Sequence, residues 1–203
     1  YFIDLESSGI SAAYPVEGWI EYIHWSLDGN QILLGVAGHG ADISGGQGAV
    51  TSKKQDAESS SWSPTVEAGE EDFRWRSVWL YDCASDTVRQ VSKPDLNVWE
   101  SVWCGPNSIA AIVSPGPGEG LWYSATLNVI DIETGDHQVL YTPKDQLAWP
   151  SVSPSGDYLA VVEAVCSDRC VAAGDLRVIH LASGVINHID TNKVDISHTQ
   201  WRS

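Results

Sequence analysis

Four polar or aromatic side chains occupy the same place in a repeated stretch of this sequence. Each lies three residues before a position that recurs along the chain, and the set is Tyr22, Glu100, Trp149 and His198. Glu100 follows Trp99, and a carboxylate beside an indole ring can hold a cationic group, such as a free peptide amino terminus. The competing interpretation is a solvated glutamate in a water-filled channel, because register alone does not fix the face that a strand residue takes.

Other common catalytic and cofactor motifs are absent from the sequence. There is no Gly-x-Ser-x-Gly elbow of a serine hydrolase, and the glycine clusters at 45–48 and 116–120 match neither a dinucleotide fingerprint nor a phosphate loop. Cys166 and Cys170 bracket a short loop, but no further Cys or His stands near them at metal-ligand spacing. We therefore predict free thiols, no metal and no cofactor, with a disulfide that closes this loop as the alternative.

The composition excludes two classes of partner. The 203 residues include 27 acidic and 11 basic side chains, a formal charge of −16, which disfavours binding to nucleic acid or to an anionic membrane. A hydrophobic fraction of 43% indicates a globular core, and no run of about 18 apolar residues predicts a membrane span. The sequence contains no Met and its start lacks the pattern of a signal peptide, so we expect a piece of a longer cytoplasmic protein. Secretion stays open, because a leader could precede Tyr1.

A repeat of 49 residues sets the predicted architecture. It is seen in three series of equivalent residues: Asp82, Asp131 and His180; Asp86, Gly135 and Gly184; Trp103, Val152 and Trp201. Short apolar runs separated by Gly, Pro, Asn, Asp and Ser predict four strands in each unit, and no window has a helical period. Four strands in about 49 residues is the size of a β-propeller blade, so we predict an all-β fold in which the recurring Trp residues pack the blades.

The same spacing predicts where each blade begins and ends. We expect three blades and two partial ones, divided as 1–9 for the last strands of a preceding blade, 10–92, 93–142, 143–190, and 191–203 for the first strand of the next blade. In the second of these segments, Trp25 lies 78 residues before Trp103, which is 29 more than the repeat. We assign the excess to an inserted loop at 38–74, rich in Gly, Ser and acidic residues, that is either mobile or docked on a neighbouring domain.

Three segments resemble the blades of the prolyl oligopeptidase family, and the segments at 96–100 and 163–168 resemble in particular its acylaminoacyl-peptidase and dipeptidyl-aminopeptidase branch. The three blade segments are Trp25-Ser26-Leu27-Asp28-Gly29, Ser153-Pro154-Ser155-Gly156 and Ile130-Asp131-Ile132-Glu133-Thr134-Gly135. The resemblance extends over nearly all of the chain, although TolB-type and other propellers share the blade motif. It implies a serine peptidase whose amino-terminal propeller gates access to a Ser-Asp-His triad in a carboxy-terminal α/β-hydrolase domain.

None of that triad can be placed on this sequence, so the resemblance implies binding and gating here. The implied partners are the hydrolase domain of the same protein and a peptide, small amide or ester substrate, with homo-oligomerisation left open. The substrate-binding candidates, taken from the repeat, are Glu100, Trp99, Tyr22, Trp149 and His198, and of these the resemblance concerns Glu100, as a counterpart of the family's acidic residues that hold the substrate amino terminus. The alternative from another class is a non-catalytic propeller, TolB-like or WD-repeat-like, that binds a protein partner on its loops, since fold alone does not decide function.

Overall fold

The computed structural model describes residues 1–39, 41, 75–166 and 168–202. The predicted insertion at 38–74 therefore lies outside the described residues, apart from 38, 39 and 41. In the described ranges the chain forms one two-stranded sheet and three sheets of four antiparallel strands. No helix in these ranges has the length and apolar character needed to cross a membrane.

Each four-stranded sheet uses four strands that are consecutive in the chain, as a propeller blade requires. The two-stranded sheet contains β1 (Phe2–Ile3) and β2 (Ile10–Ser11). Blade 1 contains β3 (Trp19–Trp25), β4 (Gln31–Ala37), β5 (Arg76–Asp82) and β6 (Thr87–Gln90). Blade 2 contains β7 (Asn97–Trp103), β8 (Ser108–Ser114), β9 (Thr126–Asp131) and β10 (His137–Tyr141). Blade 3 contains β11 (Gln146–Val152), β12 (Tyr158–Ala164), β13 (Asp175–His180) and β14 (Ile186–Ile189).

The second strand of every blade is the most buried. β4, β8 and β12 are mostly apolar, with six buried residues of seven in each, although β8 also buries Ser114 and β12 buries Glu163. This pattern arises because each of these strands lies inside its sheet while the sheet packs against neighbours. The fourth strands, β6, β10 and β14, carry mostly exposed or partly exposed residues, as expected at the rim of a blade.

The turn between the third and fourth strands is built in the same way in successive units. An aspartate accepts hydrogen bonds from the backbone N–H groups two and three residues later, at 3.1 and 2.6 Å for Asp4, 3.1 and 2.9 Å for Asp82, and 2.9 and 2.8 Å for Asp131. His180 takes this place in blade 3. The residue four positions after each of them has a positive φ of 52 to 71°, and these residues are Ser8, Asp86, Gly135 and Gly184. The β1–β2 turn therefore has the geometry of an outer blade turn.

Three apolar clusters hold these sheets together. One lies between blades 1 and 2, one between blades 2 and 3, and the third between blade 1 and the segment that contains β1 and β2. Trp103 packs against the cluster between blades 1 and 2, as predicted, and its indole Nε1 donates to the carbonyl of His24 (3.1 Å). The indole Nε1 of Trp201 donates to the carbonyl of Ser151 (3.0 Å). Trp25 differs, since it is 55% exposed.

The chain after β14 departs from the prediction of a first strand at 191–203. Up to residue 202 it makes an isolated bridge, between Ile196 and Gly174, and is assigned no strand. The physical reason is that a strand needs a continuous ladder of backbone hydrogen bonds, whereas this segment contacts blade 3 through one bridge and a few side-chain hydrogen bonds. Within the described ranges the structure also has two short helices outside the repeat, α1 (Glu119–Trp122) and a 3₁₀ helix (Arg169–Val171).

Candidate functional site

A cavity of about 560 Å³ opens among the first strands of the three blades. Its walls come from β3, β7 and β11, with contributions from the 3₁₀ helix and from the segment after β14. The lining includes Ile20, Tyr22, Glu100, Trp149, Arg169 and His198. Because the first strands are equivalent in the repeat, they present equivalent positions to one shared space.

Four of the five residues proposed from the sequence line this cavity, namely Tyr22, Glu100, Trp149 and His198. Trp99 does not. It is 3% exposed, packs in the cluster between blades 2 and 3, and donates from Nε1 to Ser114 Oγ at 2.8 Å. Trp99 is the extra, unpaired residue of a β-bulge in β7, which re-aims its side chain, so Trp99 and Glu100 face different environments. The expected pairing of Trp99 with Glu100 around one ligand is therefore replaced by a buried packing role for Trp99.

A β-bulge lies at the same place in each of the three first strands. The register shifts between Ile20 and Tyr22 in β3, between Val98 and Glu100 in β7, and between Ala148 and Ser151 in β11. A bulge inserts an extra residue and re-aims the side chains around it, which is why bulges are common beside binding sites.

Trp149 occupies the bulge of β11 and has a φ of 58°, in the left-handed region that bulky residues rarely adopt. Three contacts hold it there: its N–H donates to Glu100 Oε2 (2.9 Å), its indole Nε1 to the carbonyl of Ala172 (3.0 Å), and Thr199 Oγ1 donates to its carbonyl (2.7 Å). A rare backbone conformation of this kind persists only where surrounding contacts fix it, and it is typical of functional positions.

Glu100 is a partly buried carboxylate with spare acceptor capacity. Among the described residues, the Trp149 N–H is the one group that donates a hydrogen bond to it. Burial raises the pKa of Glu100 to about 7, with a further increase from the charge of Glu21, while the Trp149 N–H and the guanidinium of Arg169 oppose the rise. At neutral pH this group therefore exchanges between its charged and neutral forms and gains from a cation that enters the cavity.

A second carboxylate in the cavity, that of Glu21, accepts hydrogen bonds from two arginine side chains. Arg76 donates to it from Nε (3.0 Å) and Nη2 (3.1 Å), and Arg169 from Nη2 (3.4 Å). The side chains of Arg76, Glu21 and Arg169 are 4, 13 and 15% exposed. Both guanidinium groups also lie over the ring of Trp99, at 5.1 and 5.5 Å from its centroid.

Sequence reasoning missed this arginine cluster of Glu21, Arg76 and Arg169. Its members are separated by 55 and 148 positions, and Arg169 lies on the 3₁₀ helix outside the repeated strands. Arg169 also donates from Nη1 to the Trp99 carbonyl at 3.2 Å, so it joins all three blades at the cavity. No spacing rule in a single sequence brings such residues together.

Tyr22 lies in a slot that a glycine opens. It pairs across the ladder with Gly35, and a Cβ added to Gly35 would overlap the phenol ring. The Tyr22 hydroxyl is 2.9 Å from Ser101 Oγ, and burial raises the pKa of Tyr22 well above its ordinary value. The ring is thus fixed in its neutral form on one wall of the cavity.

Replacing Gly35 by alanine is expected to displace Tyr22 and to lower the free energy of unfolding by about 1–3 kcal/mol, the usual cost of an overpacked site. Urea denaturation checks this. The control is Gly120→Ala, where a Cβ would meet no atom within 4 Å and the effect should be below about 0.5 kcal/mol. Equal stability of the two variants would show that Tyr22 does not depend on the slot.

Three aromatic rings of the cavity are each in contact with a histidine ring. The pairs are Tyr22 with His24 (centroids 5.6 Å apart), Trp149 with His198 (5.7 Å) and Trp19 with His39 (5.6 Å). Burial lowers the pKa of His24, which favours its neutral form. Aromatic rings therefore form much of the wall around the carboxylate of Glu100.

The described residues contain no group of three or more His, Cys, Asp or Glu side chains that could hold a metal ion. Cys83, Cys104 and Cys166 are free thiols, as the sequence predicted for them. The side chain of Cys170 lies outside the described part of the structure. Burial raises the pKa of Cys104 to about 12, which makes it an unreactive thiol.

No family model matches the chain, and no curated protein matches its sequence. Solved structures do match. A puromycin hydrolase variant complexed with PGG is 12% identical, with a TM-score of 0.54 over 89% of this chain and 23% of that chain. An acylaminoacyl peptidase from Pyrococcus horikoshii is 12% identical, with a TM-score of 0.52 over 94% of this chain and 28% of that chain. An oligogalacturonate lyase in complex with manganese is 9% identical, with a TM-score of 0.52 over 92% and 46% of the two chains.

The chain spans less than half the length of each of these proteins. At such low sequence identity the similarity concerns the fold, and the named proteins differ in the reactions that their names give. Together with the three equivalent four-stranded sheets, it establishes that this chain forms blades of a β-propeller.

Proposed function

We propose that this chain is the propeller portion of a serine peptidase or related hydrolase of the prolyl oligopeptidase family. In that role it admits oligopeptide-like substrates to a Ser-Asp-His site carried by an α/β-hydrolase domain elsewhere in the protein. The observation that carries the proposal is the cavity at the first strands, where Glu100 accepts one hydrogen bond between aromatic walls. The fold shared with a puromycin hydrolase and an acylaminoacyl peptidase supports it.

In this proposal Glu100 holds the free amino terminus of a substrate. Its Oε2 already accepts the Trp149 N–H, which leaves further lone pairs for an ammonium group. Such a hydrogen bond is charge-assisted, and it is stronger in a partly buried site than in water. An incoming ammonium also favours the ionised form of Glu100, whose pKa burial has raised to about 7. Recognition and ionisation therefore reinforce each other.

The arginine cluster of Glu21, Arg76 and Arg169 gives the cavity a fixed frame in this proposal. Arg169 contacts β3 and β7 from the 3₁₀ helix after β12, so it ties the three blades together beside Glu100. A rigid frame lowers the entropy cost of binding, since fewer side chains must be ordered by the ligand. Binding and orientation are the tasks of this chain, and bond cleavage belongs to the other domain.

Labelling with a fluorophosphonate probe, which reacts only with an activated serine, tests the proposal on the intact gene product that contains this chain. We expect a protein several hundred residues longer than 203 that takes the label. Its mass is measured in the same experiment, and prior treatment with a serine-hydrolase inhibitor, as a control, should abolish the label. An unlabelled protein of propeller size would instead favour the non-catalytic scaffold that binds a protein partner.

A further inference from the structure

Aromatic rings lie on both sides of Glu100 in the cavity, in addition to the carboxylate that can hold an amine. β7, which carries Glu100, lies between the first strands of blades 1 and 3 in the order of the fold. Blade 1 contributes the Tyr22–His24 pair, while blade 3 and the segment after β14 contribute the Trp149–His198 pair. A carboxylate is thus flanked on both sides by aromatic rings within one cavity.

These rings are held in place by the protein itself. The Tyr22 hydroxyl bonds to Ser101 and its ring lies over Gly35, while the Trp149 indole donates to the carbonyl of Ala172. Aromatic side chains fixed before binding give contact area at a low entropy cost. The walls therefore favour a ligand whose shape matches the fixed rings, and they do not rearrange to fit ligands of different shapes.

The rest of the lining is half apolar, and its polar members are Glu21, Ser101, Arg169 and Thr199. Ile20, Val102 and Pro150 add aliphatic surface, and Trp19 adds a further ring. The volume of about 560 Å³ falls within the range of roughly 300–1,000 Å³ that is typical of small-ligand sites. A ligand that only placed an ammonium group on Glu100 would leave most of this apolar surface in contact with water.

We infer that the cavity selects peptides whose first residue has an aromatic side chain. The inference rests on the proposed function, since Glu100 is taken to hold the amino group of that residue. The side chain then packs between the two ring pairs, where edge-to-face contacts add to the burial of apolar area. A peptide with a small first side chain makes the same contact between its amino group and Glu100, but it leaves the space between the two ring pairs empty.

Isothermal titration calorimetry at pH 7.5 with three peptides tests this inference, on the intact protein after its active serine has been blocked so that the peptides are bound and not cleaved. The ligands are Phe-Ala-Ala, Ala-Ala-Ala and N-acetyl-Phe-Ala-Ala, which separate the ring from the free amine. We expect the protein to bind Phe-Ala-Ala at least about tenfold more tightly than Ala-Ala-Ala. The acetylated peptide should bind at least about tenfold more weakly than Phe-Ala-Ala, since it has no ammonium group for Glu100.

Two variants each remove one ring from the cavity, and a third variant serves as the control. In Trp149→Leu and in His198→Ala, the preference for Phe-Ala-Ala over Ala-Ala-Ala should fall to less than about threefold. Both variants are needed because Trp149 also has a rare backbone conformation, whereas His198→Ala removes the other ring of the same pair and leaves Trp149 in place. Trp25→Leu is the matched control, since Trp25 lies on β3 outside the cavity lining, and its preference should equal that of the unmodified protein.

The outcomes distinguish the inference from the proposed function on which it rests. Equal affinity for the two free peptides, with no binding of the acetylated one, would overturn aromatic selection and leave amine capture intact. Acetylated and free Phe-Ala-Ala binding equally well would overturn amine capture by Glu100, and the inference with it. No binding of any peptide at millimolar concentration would overturn both.

Discussion

Replacing Glu100 by glutamine is expected to stabilise the protein at pH 8, by about 1–3 kcal/mol, while it removes the cation site. Burial raises the pKa of Glu100 from 4.5 to about 7, so the charged form is disfavoured in the folded state. The full linkage for such a shift is about 3.4 kcal/mol, from about 1.4 kcal/mol per pKa unit, and the partial exposure of Glu100 reduces it. Urea denaturation of both proteins at pH 5 and pH 8 measures the difference.

The sign of this effect follows from proton binding. Between pH 4.5 and about 7 the folded protein binds more protons at Glu100 than the unfolded chain, so the stability of the unmodified protein falls as pH rises. Glutamine does not titrate and keeps an oxygen that accepts the Trp149 N–H. The advantage of Glu100→Gln is therefore small at pH 5 and complete above about pH 8.

The same variant is expected to lose the binding of an amine. With 2-phenylethylamine, which stays protonated over this range, the unmodified protein should bind about tenfold more weakly at pH 6 than at pH 8, because Glu100 becomes neutral. Glu100→Gln should bind weakly at both pH values. A residue whose removal raises stability and lowers binding has a functional role, because removal of a structural residue lowers stability.

Glu163→Gln is the matched control, because Glu163 is a buried glutamate with a structural role. It accepts hydrogen bonds from Tyr141, Arg177 and the backbone N–H groups of residues 144 and 145. Burial alone would raise the pKa of Glu163, but these donors outweigh it and hold the pKa below 4.5. This stability is present above pH 4.5 and lost as pH falls through the lower folded-state value.

The control variant should therefore lose about 2–4 kcal/mol at pH 8, since it weakens a buried ion pair with Arg177. If Glu100→Gln destabilised the protein at pH 8 as Glu163→Gln does, Glu100 would be a structural residue. The proposed amine site would then have no support from its electrostatics.

The blades were predictable because their turns carry a repeated chemical signal. An aspartate that accepts two backbone N–H groups, followed by a residue with positive φ, recurs at Asp82 with Asp86 and at Asp131 with Gly135. Such a turn depends on a few neighbouring residues, so a single sequence contains it completely. The segment at 191–203 was less predictable, since pairing into a strand depends on a neighbour and not on local sequence.

The site was predictable only as far as the repeat extends. Tyr22, Glu100 and Trp149 were found because equivalent strands place equivalent positions around one cavity. The side on which Trp99 would lie was not predictable, because a bulge in β7 changes the alternation of side chains there. Arg169 was not predictable either, since it reaches Glu21 across 148 positions from an irregular segment.

The two glutamates of the cavity have different tasks, which their partners determine. Glu21 is held by two guanidinium groups, whereas Glu100 accepts a single backbone hydrogen bond from within the described structure. The first is a closed ion cluster that joins blades, and the second keeps acceptor capacity for a ligand. Substitutions at these positions should therefore change stability in opposite directions.

Replacing Glu21 by alanine is expected to lower the free energy of unfolding by about 3–5 kcal/mol, the usual cost of breaking a buried ion cluster. In this variant the guanidinium groups of Arg76 and Arg169 remain near the Trp99 ring but lose the carboxylate that contacts both of them. Glu133→Ala is the control, because Glu133 pairs with Arg89 on the surface, with side chains 73 and 44% exposed. Surface pairs of this kind contribute at most about 1 kcal/mol.

Urea denaturation at pH 7 compares the two variants, and repetition at about 0.5 M NaCl separates buried from exposed charges. Salt screens the exposed Glu133–Arg89 pair far more than the Glu21 cluster, so the effect of Glu21→Ala should persist at high salt. A loss below about 1 kcal/mol for Glu21→Ala would mean that the cluster does not hold the blades. Arg169 would then lose its assigned role as the frame of the cavity, and the rings of Tyr22 and Trp149 would be held only by their own contacts with Ser101, Gly35 and Ala172.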